Sequence, residues 1–252
     1  MANVANAALL TAFPVGAAAL GAVIAAVRRP SGVVMSAVQH FAAGVVLAAV
    51  VGEILPDLDA EAQWSWAVAG FTLGVAVVLA LAAWGRRLDA RGKDTEGFDT
   101  PARAAQSALP IGLMVTVAID LLIDGALVGL AATLSSTQAM ILVGALTLEV
   151  LFLALSVQGE LVQAGMTRWR AAGASGGLGL LTAVGALTAA IALGDAGPKP
   201  IAATLGFGAA ALVYLAVEEL LVEAHEESET TVLTATFFLG LITVYGLTIV
   251  GG

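Results

Sequence analysis

The sequence predicts an all-α polytopic membrane protein, on three observations. The 252-residue chain is 60% hydrophobic and 12% charged, whereas a soluble domain carries about 25% charged residues. Its apolar residues gather into runs of about 20, the length of helix that crosses a hydrocarbon core. Most charged residues lie between those runs. Cysteine is absent, which excludes a disulfide framework, a thiolate metal site and a cysteine nucleophile. The net charge of −9 argues against nucleic acid and towards cations.

Eight spans follow, at about 5–27, 33–56, 64–84, 108–134, 138–165, 172–194, 198–222 and 231–250. The first, "MANVANAALLTAFPVGAAAL", has no positively charged region ahead of its apolar run, so it reads as a transmembrane helix rather than a cleaved signal. The second and third are separated by "DLDAEAQ", with Pro56 expected to mark the end of the second. The loop 85–107, "GRRLDARGKDTEGFDTPARAAQS", is polar and contains Gly and Pro, so it is expected to be flexible. The fourth and fifth spans are joined by "SSTQ", which makes them antiparallel neighbours. The remaining three form a final group. The whole chain is expected to be one transmembrane domain, with spans 1–3 (5–84), the central pair (108–165) and spans 6–8 (172–250) as its parts.

Lys and Arg orient the bundle. Arg28, Arg29, Arg86, Arg87, Arg91, Lys93, Arg103, Arg168 and Arg170 fall on one side, with Lys199 the exception. The positive-inside rule makes that side the cytoplasm. The expectation is a multi-pass protein of the cell (inner) membrane with both termini outside.

The outer groups repeat. At an offset of 166, "HFAAGVVLAAVVGEILPD" (40–57) aligns with "GFGAAALVYLAVEELLVE" (206–223). Phe41 meets Phe207, Glu53 meets Glu219 and Asp57 meets Glu223; "FTLG" (71–74) meets "FFLG" (237–240) at the same offset. Five spans separate the copies, so they are oppositely oriented. Inverted repeats recur in secondary transporters, with the substrate near the midplane.

The chemistry concentrates on the central pair. Asp120 and Asp124 share one face of span 4, because i and i+4 are helix neighbours. Glu149 lies near the middle of span 5, and Ser156, Glu160 and Gln163 continue its face. No Lys or Arg lies in a span core. Carboxylates at that depth must protonate, share protons or bind a cation, and a central Asp costs roughly 2.5–3.5 kcal/mol on insertion scales. Glu53 and Asp57 stand near the external end of span 2, as a candidate outer entrance. Glu160, Glu219, Glu223 and His225 stand towards the internal side, as a candidate inner exit. Glu218 points about 100° from Glu219, so only one of them faces a given pore. His40, at a helix end, reads as structural or solvated.

On these residues the chain resembles the ZIP (Zrt/Irt-like) metal transporter family. "HFAAGVVLAAVVGEILPDL" is similar to that family's second span and "LVYLAVEELLVEAHE" to its seventh. The resemblance implies eight helices in a 3+2+3 inverted-repeat bundle, a homodimer, and inward transport of zinc or another divalent metal as substrate, without a prosthetic group. It sets the metal on spans 4 and 5, at Asp120, Asp124 and Glu149. There Asp120 replaces a histidine, Leu121 an asparagine and Asp124 a glutamate. On span 5, Leu148 replaces a histidine, Glu149 is kept and Phe152 replaces a second glutamate. The cluster that remains offers only oxygen. Carboxylate and water suit manganese, calcium and magnesium better than imidazole-seeking metals, so manganese joins zinc, iron and cadmium as candidates, at one site rather than two. Two alternatives stay open: a transporter of the same fold with proton-coupled or non-metal cargo, and a non-transporting membrane protein. An enzyme is not expected. Intramembrane aspartyl proteases carry a Gly-x-Gly-Asp motif that is absent here, and no Ser/His or Cys/His arrangement offers itself.

Overall fold

The computed structural model describes residues 2–61, 63–94, 111–132, 136–225 and 230–251. Among these the chain is helical, and no strand occurs. Helix α1 spans Ala2–Val27 and α2 Gly32–Ala49. The π-helical turn Val50–Ile54 follows, and α3 (Leu55–Glu61) continues it. Then come α4 (Trp64–Asp94), α5 (Ile111–Ala131) and α6 (Ser136–Gln163). Helices α7 (Arg168–Leu178) and α8 (Leu180–Leu193) meet at Gly179. Helix α9 (Pro198–Tyr214) enters a second π-helical turn, Leu215–Leu220, continued by α10 (Leu221–Ala224). Helix α11 spans Thr231–Gly251.

Over its described residues, each expected span coincides with helix. Seven stretches are long and apolar enough to cross a membrane, and Thr231–Leu247 is a shorter apolar one. Large apolar side chains such as Leu9, Leu73, Ile191 and Ile242 point outward, as a lipid-facing surface requires.

Three boundaries differ from expectation. Helix α4 runs ten residues past residue 84, into the segment expected to be loop. Arg, Leu and Ala are good helix formers, and extending an existing helix avoids the cost of nucleation. The rest of that loop, from residue 95, lies outside the described residues. Pro56 does not end its helix. It sits at the second position of α3, directly after the π turn, where the widened turn accommodates a residue lacking an N–H. The sixth span is broken at Gly179, within "GASGGLG".

Local signals explain several ends. Ser31 caps α2, its Oγ accepting from the Val34 amide at 3.4 Å. Helix α6 ends in a Schellman motif, with Gly165 at φ 92°. There the Met166 amide donates to Leu161 O and the Gly165 amide to Val162 O, both at 3.0 Å.

Small residues set the packing. A Cβ on Gly240 would lie 2.1 Å from Phe41 O, and one on Gly44 would lie 2.0 Å from Phe237 O, so α2 and α11 touch backbone to backbone. Helices α4 and α9 do the same through Gly70 and Gly206. Helices α5 and α8 meet at Gly125 and Gly129, whose Cβ positions would fall 2.1 and 2.3 Å from Thr182 O and Ala186 O. Such approach is how helices associate where lipid removes the hydrophobic drive. The most extensive packing is in four helix pairs, α4 with α9, α5 with α8, α2 with α11 and α1 with α6. Leu127, Leu130, Leu142, Leu146, Leu205 and Leu212 fill the core between them.

Candidate functional site

Helix α5 carries Asp120 and Asp124 one turn apart, and α6 brings Glu149 opposite. One oxygen from each carboxylate lies within 4.8 Å of the others. Asp124 is 2% exposed and Glu149 1%, while Asp120 is half-buried. Asp120 Oδ2, Asp124 Oδ2 and both Glu149 oxygens are buried without a hydrogen-bond donor. Leaving one buried polar group unsatisfied costs about 1–3 kcal/mol, and more if it is charged.

The surroundings supply little compensation. Leu121, Val150 and Phe152 are buried apolar neighbours along the two helices. A cavity of about 10 Å³, lined by Leu121, Val150, Val117 and Ser175 among others, adjoins this region. That is about the space of one water. Thr182 of α8, whose backbone touches Gly125, is 0% exposed, and its hydroxyl also lacks a partner. Other buried or half-buried threonines, such as Thr11 and Thr147, donate to a carbonyl of their own helix. Thr182 sits just after the break at Gly179, where its amide makes a short-range bond to Gly179 O instead.

Thr116 extends the aspartate face, but its hydroxyl donates to Gly112 O at 3.0 Å. The stripe on α6 becomes steadily wetter: Glu149 is buried, Ser156 half-buried, and Glu160 and Gln163 exposed. Gln163 Nε2 donates to Glu160 Oε1 at 3.3 Å. Arg29 lies across Gly159, beside Glu160, with its Nη2 2.8 Å from where a Cβ would stand.

Of the candidate exit residues, Glu219 comes closest to the triad in effect. It lies in the second π turn, half-buried, and interacts electrostatically with Asp120, Asp124 and Glu149. Glu218 beside it is exposed, as the 100° step requires. For Glu53, Asp57 and Glu223 the backbone is described and the side chains lie outside the described residues; Glu53 falls in the first π turn. His225, at the end of α10, is exposed, and its Nδ1 bonds Leu221 O.

The structure also joins residues that sequence reasoning kept apart. His40 is 2% exposed, which makes it structural, the first of the two readings its position allowed. Its Nδ1 bonds Ser36 O at 2.9 Å, and its ring lies 5.1 Å from that of His225. Ser36 Oγ donates to Ala224 O at 2.7 Å, closing the same end of α2 onto α10. The signal for this was present: the only two histidines fall at ends of spans 2 and 7 on the same expected side.

No protein-family model matches the chain, and no curated protein matches it.

Proposed function

We propose that this protein is a membrane transporter that carries a divalent metal cation into the cytoplasm through Asp120, Asp124 and Glu149, in the manner of the ZIP family that its sequence resembles. The observation that carries the reading is the triad itself. Two buried carboxylates and a half-buried one converge within 4.8 Å, and four of their six oxygens are buried without a donor. A dication satisfies all three at once, and only oxygen is offered to it, which favours manganese over a dedicated zinc site. Glu53 and Asp57 attract the ion outside. Glu160, Glu219, Glu223 and His225 receive it inside. The chain lies in the cell membrane with its termini outside and works as a homodimer.

An inverted repeat underlies the transport cycle, and several contacts support it. The two π turns, Val50–Ile54 and Leu215–Leu220, fall together at the offset of 166. Gly240 sits on Phe41 O as Gly74 sits on Phe207 O, at the same offset. Thr236 Oγ1 donates to Ala37 O at 2.9 Å where the equivalent Gly70 touches Ala203 O. π turns are frequent at functional sites, and here each adjoins one mouth. The α5–α6 pair holds the ion, and the repeat-related helices on either side of it in the chain rock against that pair.

The test is uptake of Mn²⁺, Zn²⁺ and Cd²⁺ into proteoliposomes. Asp124→Ala is expected to lower uptake at least about tenfold, the equivalent of roughly 1.4 kcal/mol. Unchanged uptake would sink the mechanism. The donorless oxygens also favour a second reading, in which the triad carries protons. Proton flux that persists without metal and responds to an organic solute selects it.

A further inference from the structure

The basic side chain of Arg86 stands near Tyr214 and level with Glu219, on the expected inner side of the bundle. A Cβ on Gly70 would lie 1.9 Å from Ala203 O, and one on Gly74 would lie 2.8 Å from Phe207 O. Both contacts run at an offset of 133, so α4 and α9 are parallel, and the same offset sets Arg86 level with Glu219. The Arg86 guanidinium hydrogen-bonds the Tyr214 hydroxyl, just ahead of the π turn, and Tyr214 also feels the charges of Glu218 and Glu219. To reach Tyr214 the guanidinium points back along α4, the direction in which helical side chains lean, and so towards the bundle centre. Gly85, the preceding residue, is buried against Thr116: a Cβ there would lie 2.5 Å from Thr116 Oγ1. Thr116 is one turn from Asp120 on α5. Arg86 is exposed on this end of α4, level with Glu219, and Glu219 in turn interacts electrostatically with the triad.

We propose that Arg86 is a tethered cation at the inner mouth of the carboxylate site, its charge standing in for a departing ion and weakening the hold on the next one. The inference rests on the cation-site reading above and gives that site a specificity-determining residue. A fixed positive charge on the acidic route disfavours a dication more than a monocation, because the repulsion scales with charge. It also favours release to the inside.

The experiment is Mn²⁺ binding to the purified 252-residue chain, followed by electron paramagnetic resonance, with Asp124→Asn as the site control. Arg86→Gln is expected to tighten binding about tenfold, and Arg86→Lys, which keeps the charge, to leave it within about twofold. A purely packing role would lower thermal stability in both variants without that ordering of affinities. Equal affinity in the wild type and Arg86→Gln, or Lys behaving as Gln does, overturns the inference and leaves the site standing. A chain with no Asp124-dependent Mn²⁺ binding overturns both.

Discussion

Glu149 shows how much a single side chain carries. It is 1% exposed, and neither oxygen has a donor. Glu149→Gln keeps the shape and gives the site an amide that donates to a neighbouring aspartate. In metal-free detergent this variant is expected to gain about 1–3 kcal/mol of stability, seen as a higher melting temperature, while losing cation binding. A lower melting temperature with binding intact refutes that trade. The convergence of the three carboxylates was legible in the sequence because helix periodicity pairs Asp120 with Asp124, and the short link between spans 4 and 5 brings Glu149 alongside. Glu219 was legible as an acidic residue at a span end, but not as a neighbour of the triad, since that depends on how α9 lies against α5. For His40 the sequence left a structural and a solvated reading open, for the same reason. A helix-end histidine looks solvated until another span end is known to cover it.

At the scale of elements, the glycines that touch carbonyls differ sharply from those that do not. Gly240 sits where a Cβ would meet Phe41 O at 2.1 Å, whereas Gly16 has nothing within 4 Å. Gly240→Leu therefore has to push α11 from α2, and about 1–3 kcal/mol or more of stability is lost by overpacking. Gly16→Ala is tolerated. Melting temperatures in detergent distinguish the two, and equal losses contradict the backbone contact. Spans were legible because hydropathy over about 20 residues is a strong signal. The π turns were not, since one extra residue per turn leaves hydropathy unchanged. The helical extension to Asp94 was hidden because its charges read as loop, although Arg, Leu and Ala favour helix.

For the molecule as a whole, the expected orientation can be measured directly. The chain has no cysteine, so single cysteines report cleanly. One placed before α1 is expected to react with a membrane-impermeant maleimide on intact cells, and one placed at residues 95–110 only after permeabilisation. The reverse pattern inverts the proposed direction of transport. The expected orientation rests on the basic residues, which cluster between alternate spans. The pairing of α2 with α11 and of α4 with α9 was not legible, because it arises from contacts between helices far apart in the chain.

That distance has a consequence for how the protein is made. Thr236 bonds Ala37 across 199 residues, and Ser36 bonds Ala224 across 188. Helices α2 and α4 leave the ribosome early, and their closest partners, α11 and α9, emerge near the end. At 5–20 residues per second, α2 waits roughly 10–40 s for α11. During that interval its small-residue face lies open to any other helix in the bilayer. The pairing of α2 with α11 is therefore completed only when the last helix arrives, and until then the newborn chain stays exposed to mispairing at that face.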